Sequence, residues 1–512
     1  MARRLAAIAI FVLIAFQAVG SIRSYDFFWH LATGRWIVDH HALPVYDPFT
    51  LATAHVPWIN GEWLYQVATY GAEALDGPRG ISWINALFVA AMFTIAFWFA
   101  SRTRDVGLSL FATAVAFAGA EPLLGIRPAA AGALLIVVTI GLIELPLTTR
   151  TLAILYAVLT VVWINTHPSA LLAPLIAATM LITDWRRWPV PVASAAALVV
   201  NPFGWNAVLA PLRLTQLIGS GEFVNAEWVP STPEQFPLLF ATISAIVVMY
   251  IGVRPRRDEW WRIVVFTGLA VLAVQHVRNQ GLYFAPLPLL LPRMQTRKLL
   301  SIALAACAIV PIALVHGDRK TGVDDERFPV HAVAHFKALG LKGNIYNVDQ
   351  FGGYLEWTLY PQRRVTTDGR NELFRDFIAL DARAHRDSRV WHALLQQYKI
   401  DLAVDEYQSE RVEVLDVATG ERRYLPQSLV RYRRRDWALI AFDDAAMIFA
   451  RRAAFPAELI DRVEYRYLVP DDPFIGYLTP AFRAAARKDI ERARHEIGDI
   501  EVVRKLAEGA KD

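Results

Sequence analysis

The chain has 512 residues, 55% of them hydrophobic, which excludes an ordinary soluble protein of this length. Its single cysteine, Cys307, sits in an apolar run, so an intrachain disulfide, a CxxC pair and a cysteine zinc site are excluded as well. The net charge of +4 makes no case for nucleic acid: residues 316–512 balance 32 Lys/Arg against 33 Asp/Glu, and residues 1–315 hold 20 against 15, with the surplus in short loops between apolar runs.

This asymmetry predicts a membrane part, residues 1–315, followed by a water-exposed part, residues 316–512. Apolar runs near the length needed to cross a bilayer occur at roughly 5–22, 81–100, 106–121, 128–147, 151–165, 168–183, 189–201, 236–253, 261–276, 280–292 and 298–315. Alternate loops carry the basic residues: Arg3/Arg4, Arg102/Arg104, Arg150, Arg186/Arg187, Arg254/Arg256/Arg257/Arg262 and Arg293/Arg297/Lys298. The positive-inside rule then puts the N-terminus in the cytoplasm, and eleven crossings put the tail outside. Residues 5–20 also fit a signal peptide ending at Ala18-Val19-Gly20; many further spans follow, so the reading here is a retained anchor.

The loops opposite the basic ones collect polar and aromatic groups. The first, residues 23–80, opens on Asp26, with His30 four residues on and therefore on the same face of any helix starting there. Asp47 precedes Pro48 in a turn-like stretch, Glu62 follows, and Trp58, Trp63, Leu64, Val67 and Tyr70 suggest an amphipathic helix in the interface. Later outer segments add Arg127, Asn165, His167, Asn201, Glu222, Glu227, Trp228, His276, Arg278 and Asn279. Each has a structural alternative: interface aromatics anchor helices, Arg127-Pro128 and Asn201-Pro202 can simply end or cap them, and span-end polar groups satisfy backbone. Asp26, an acid directly beyond the first span, stands out as a functional candidate.

The tail reads as a small α/β domain. It shows a helix over 328–339, short strands at 343–347, 400–404, 437–442 and 446–450, and helical stretches over 371–398 and 475–510. Gly352-Gly353 is expected to permit a tight turn into a segment readable as helix or strand, and residues 364–370 read as a strand ending in a turn. Asp368 and Arg370 there could contact an acceptor sugar or form an ion pair at a strand end. The basic run Arg431–Arg435 could touch acidic lipid or glycan but reads first as a solvated turn. No Walker, GxGxxG, HExxH or GxSxG pattern is present, so an ATP-driven pump or a soluble-type hydrolase has no support.

Several blocks together resemble the GT-C superfamily of membrane glycosyltransferases, in particular a large bacterial group with this layout. They are Asp26-Phe-Phe-Trp-His30-Leu-Ala-Thr-Gly34, Leu43-Pro-Val-Tyr-Asp47-Pro-Phe49, Trp58, Glu62-Trp63-Leu64, Arg127-Pro128, Trp163-Ile-Asn165-Thr-His167, Asn201-Pro-Phe-Gly204, Glu227-Trp228, Phe351-Gly-Gly-Tyr-Leu-Glu-Trp357 and Asp368-Gly-Arg370. The resemblance implies a GT-C-like bundle of about eleven spans with a periplasmic α/β domain in the bacterial inner membrane. It also implies a polyprenyl-phosphate-linked sugar donor and transfer on the periplasmic face. It makes Asp26 the catalytic or metal-binding acid, with Asp47 or Glu62 a second acid and Mg or Mn the divalent metal if one is used. Asp26 is followed by Phe27 and Phe28, so there is no DxD pair, and no WWD-type motif of the oligosaccharyltransferases is present.

Such a transfer needs a carboxylate to take the acceptor proton, the role expected of Asp26. His30 could orient that acid, bind phosphate or hold a metal. Arg127 and Arg278 are expected to stabilise the departing phosphate, with Asn165 and His167 as further donors, and Trp63 and Trp228 to stack on sugar. The acceptor itself, whether glycan, lipid or protein, is open. A flippase of a lipid-linked glycan is the rival reading, but the sequence shows no internal repeat and the polar groups gather at one surface, not at midplane. A non-catalytic envelope assembly protein is the third.

Overall fold

The computed structural model describes residues 2–219, 226–315, 317–415, 419–472 and 479–510. The chain divides into two compact units. One comprises Met1–Ser24, Thr33–Leu43 and Ile59–Gly322; the other comprises Tyr25–Ala32, Pro44–Trp58 and Val323–Asp512. Two pieces of the stretch 23–80 thus fold with the C-terminal residues. The expected boundary residue, His316, lies outside the described residues.

The first unit is helical. Helices α1 (Ala2–Gln17), α2 (Phe27–His40, which begins in the other unit), α3 (Trp63–Ala100), α4 (Val106–Ala120), α5 (Pro128–Ile143) and α6 (Thr149–Ile164) are followed by α7 (Pro237–Val253) and α8 (Trp260–Gln275). Helix α3 is two helices in line. Gly77, at φ +58°, breaks it after Asp76, and Pro78 starts the next turn, where a missing N–H costs nothing. The break separates the expected interfacial helix from the expected span at 81–100. Helix α3 is, among the described residues, the one helix long and apolar enough to cross a bilayer.

The other apolar helices have 10–17 residues. Sixteen residues rise about 24 Å, short of a ~30 Å hydrocarbon core. The expected span at 280–292 is divided at Pro286 into Gln280–Phe284 and Leu287–Leu290, and that at 189–201 is helical only over Pro189–Ala197. Helix length therefore does not carry the count of eleven.

Outward faces in this unit are as apolar as inward ones. Leu5, Ile8, Val12 and Phe16 form an exposed stripe on α1, and Ile154, Val158 and Val162 form one on α6. Inside, a buried ion network ties α4, α5 and α8 together. Glu144 is held by Arg104 and Arg262, each at 3.1 Å, and Arg262 by Glu259 at 2.9 Å. Arg104 also donates to the carbonyl oxygens of Leu289 and Leu291.

The second unit is α/β. A four-stranded sheet runs in the order β1 (Asn344–Asn347), β2 (Ile400–Glu406), β6 (Ala446–Arg451), β5 (Trp437–Phe442). Strands β1 and β2 are parallel and the other pairs antiparallel. Strand β5 is buried throughout and β6 up to its final Arg451, which explains why both read as continuous apolar runs. A hairpin of β3 (Arg411–Leu415) and β4 (Arg422–Pro426) was not expected; it is short and charge-rich. Helices α9 (Val330–Leu339) and α10 (Asp349–Leu359) flank β1 in sequence. The expected strand at 364–368 is reduced to bridges of Val365 with Thr50 and Ile345. Here a piece of the first loop, Phe49–Leu51, lies beside Val365 and trades hydrogen bonds with it.

Candidate functional site

Asp26 stands just before α2, and the His30 N–H donates to its carbonyl oxygen at 3.4 Å, so the two lie one turn apart as the spacing predicted. His30 is buried, its ring 3.6 Å from that of Trp29. Helix α10 crosses this turn. Gly352 and Gly353 are helical and serve close approach, not the expected turn. A Cβ on Gly353 would sit 2.8 Å from the Trp29 nitrogen, and one on Gly352 would sit 2.1 Å from the Thr367 carbonyl oxygen. The turn Asp368–Arg370 follows, and a Cβ on Gly369 would come within 2.6 Å of the Asp26 carboxylate.

This turn is pinned from several sides. Asn347 accepts the Thr366 N–H at 2.9 Å and donates to the Thr367 carbonyl at 2.8 Å. Arg370 donates from its backbone N–H and from Nε to Asp368, at 2.8 and 2.9 Å, and from Nη2 to Asp47 at 3.2 Å. Its guanidinium lies over Trp58 at 4.5 Å. Asp47 also accepts from Phe49 N–H at 3.0 Å and from the hydroxyls of Thr50 and Thr53 at 2.6 Å. Asp47, Asp368, Arg370 and Glu356 are all buried, at 2% exposure or less.

One guanidinium therefore faces three carboxyl groups. Burial works against ionisation of Asp47, but the Arg370 charge and three side-chain and backbone donors overcome it and hold its carboxyl below the usual range. Glu356 goes the other way. Its Oε1 is 3.6 Å from Arg370 Nη2, too long for a hydrogen bond. Burial and the Asp368 carboxylate push it well above the carboxylate range, which favours its neutral form.

In the first unit, Glu62 begins α3 and its carbonyl accepts the Gln66 N–H. Trp63 Nε1 donates to Asn165 Oδ1 at 2.7 Å, and Asn165 spends its amide on the carbonyls of Val161 and Val200. Asn165 is thus engaged in joining helices. Arg127 pairs with Glu227 and donates to Ser24 Oγ at 3.2 Å. His167 is set differently. Trp163 Nε1 donates to Ser169 Oγ, and the Ser169 N–H and hydroxyl both point at His167 Nδ1, the hydroxyl at 2.7 Å. The neutral ring therefore carries its proton on Nε2. Burial and the nearby Arg278 charge push its pKa down to about 3. Arg278 lies over Trp228 at 4.4 Å, and Trp228 is fixed by His276, whose Nδ1 donates to its carbonyl at 2.7 Å. Among the described residues no carboxylate pairs with Arg278. Glu222 lies outside the described residues.

The structure thus gathers Asp26, His30, Asp47, Asp368 and Arg370 in one unit, and Glu62, Trp63, Arg127, Asn165, His167, Trp228 and Arg278 in the other. Glu356 and Gly369 lie within blocks quoted from the sequence but were given no role there, and Ser169 was not singled out. Among the described residues no three His, Cys, Asp or Glu side chains are placed to hold a metal ion. Asp47 and Asp368 are committed to Arg370, and Glu372 is the further acid whose charge acts on Asp26.

No protein-family model and no curated protein matches the chain. Solved structures do. One, the oligosaccharyltransferase AglB from Archaeoglobus fulgidus in complex with an inhibitory peptide and a dolichol-phosphate, is 10% identical with a TM-score of 0.55, covering 97% of this chain and 84% of that one. A second structure of the Archaeoglobus fulgidus oligosaccharyltransferase, tethered to an acceptor peptide, is 11% identical with a TM-score of 0.55, covering 83% and 74%. The apo form gives 0.53 at 11% identity over the same shares. The chain therefore has the fold of the archaeal oligosaccharyltransferase.

Proposed function

We propose that this chain is a membrane glycosyltransferase that takes a sugar from a polyprenyl-phosphate donor on the periplasmic face of the bacterial inner membrane, with Asp26 as general base. The reading rests on the donor pair formed by Arg278 and His167. A half-buried guanidinium stacked on Trp228, with no carboxylate among the described residues, lies near a neutral imidazole presenting Nε2–H. Two neighbouring donors with no paired carboxylate among the described residues suit a phosphate. The fold adds to this, since a neighbour with the same architecture is a complex with a dolichol-phosphate.

In the reaction the acceptor oxygen forms a bond to the anomeric carbon as the carbon–phosphate-oxygen bond breaks. The acceptor proton passes to the Asp26 carboxylate, and the polyprenyl phosphate leaves with the electron pair. A neighbour has been solved with Zn and sulfate; here the Asp47 and Asp368 carboxylates are held by Arg370.

Membrane placement is supported by the exposed apolar stripes of α1 and α6, which no water-facing helix would keep. The ion network supports the orientation. It joins Arg104, Glu144, Glu259 and Arg262, from stretches that the basic-loop alternation assigns to one side.

The test is transfer of radiolabelled polyprenyl-phosphate sugars by the purified, lipid-reconstituted protein. Asp26→Asn should lower turnover at least about 100-fold while donor binding survives, and EDTA should change neither. Arg278→Ala should weaken donor binding about tenfold or more. Wild-type turnover in Asp26→Asn would end the reading.

A further inference from the structure

We propose that Gly369 is a positioning residue that sets the Asp26 carboxylate; the proposal rests on Asp26 being the base. Gly369 is not in the positive-φ region, so its backbone does not call for glycine. What a Cβ there would meet is nearly a single atom: Asp26 Oδ1 at 2.6 Å, with nothing else closer than 3.9 Å. The missing methyl makes room for that oxygen.

The seat itself cannot drift. Asp368 and Arg370 flank Gly369, Arg370 grips both Asp368 and Asp47, and Asn347 holds the preceding two residues. The seat of the carboxylate is thereby tied to a buried ion network. Arg370 and Asp368 are buried and act on the carboxylate through Gly369.

Gly352 supplies the contrast. A methyl there would strike the Thr367 backbone at 2.1 Å, so the fold must yield; at Gly369 the end of one side chain can yield, by about 0.4 Å or more. Displacing a reacting group by a fraction of an ångström costs turnover more than binding.

In the full-length, lipid-reconstituted protein, Gly369→Ala should keep donor KM within about twofold and lower kcat at least about tenfold. Its melting temperature should stay within about 2 °C of wild type, while Gly352→Ala melts clearly lower. In an Asp26→Asn background, Gly369→Ala should lower the residual turnover no further, because the carboxylate it displaces is already gone. Wild-type kcat in Gly369→Ala, a fully additive double variant, or a Gly369→Ala chain that fails to fold would each overturn the proposal. Loss of activity in Asp26→Asn alongside any of these leaves the general-base reading standing; retained activity in Asp26→Asn removes both.

Discussion

Arg370 shows how one buried charge sorts its neighbours. Three carboxyl groups surround it, and a fully ionised set would carry two uncompensated negative charges in the core, so ionisation of one acid is disfavoured. Glu356, the most distant from the guanidinium, is that acid. Glu356→Gln should therefore change stability by less than about 1 kcal/mol, whereas Asp368→Asn, which strips the closest partner of Arg370, should cost about 3–5 kcal/mol. Thermal melts of the two variants check this; equal losses would mean that Glu356 is ionised. Asp47, Asp368 and Arg370 were each legible as candidate site residues in the sequence. That they are partners was not, because the Arg370–Asp47 contact joins residues 323 positions apart. Asn165 illustrates the reverse: its type and place suggested a ligand donor, yet the helix ends around it consume its amide.

Among the elements, α9 carries a pH dependence of its own. Its Ala332 N–H is capped by Asp443, from the turn between β5 and β6, which also accepts from Ala445 and Ala446. Burial outweighs these donors and the nearby His331 charge, pushing the Asp443 carboxyl up to about 6. The folded state then holds this proton more tightly than the unfolded chain does. The contribution of Asp443 to stability is present below about pH 4 and is lost as pH rises through about 6, by on the order of 2–3 kcal/mol. Asp443→Asn removes the titration, so the melting difference between wild type and variant should move in favour of wild type between pH 7.5 and pH 5. A difference that does not change with pH would refute the assignment. Helix α10 marks the limit of element-level reading. Its glycine pair reads as a turn by local rules, and only the backbone of Thr367 and the start of α2, passing within contact of it, reveal a helix that needs two missing side chains.

For the whole molecule, orientation can be tested with the single native cysteine removed. In a Cys307→Ala background, Glu413→Cys on β3 should react with a membrane-impermeant maleimide once the outer membrane is opened, and Arg150→Cys at the start of α6 only after the inner membrane is permeabilised. The opposite pattern would place Asp26 and the C-terminal unit in the cytosol. By itself the sequence determined the helical, apolar character of residues 1–315, the α/β character of the tail and most of its strands, because hydrophobic runs and periodicity are local properties of the chain. Tertiary structure decided which helices are cut short by prolines and glycines. It also decided that Tyr25–Ala32 and Pro44–Trp58 belong with the tail, and that Asp26 rests on Gly369. Those outcomes depend on backbone approaches and buried ion pairs between residues hundreds of positions apart, and such pairings leave no periodic trace in either partner's own stretch of sequence.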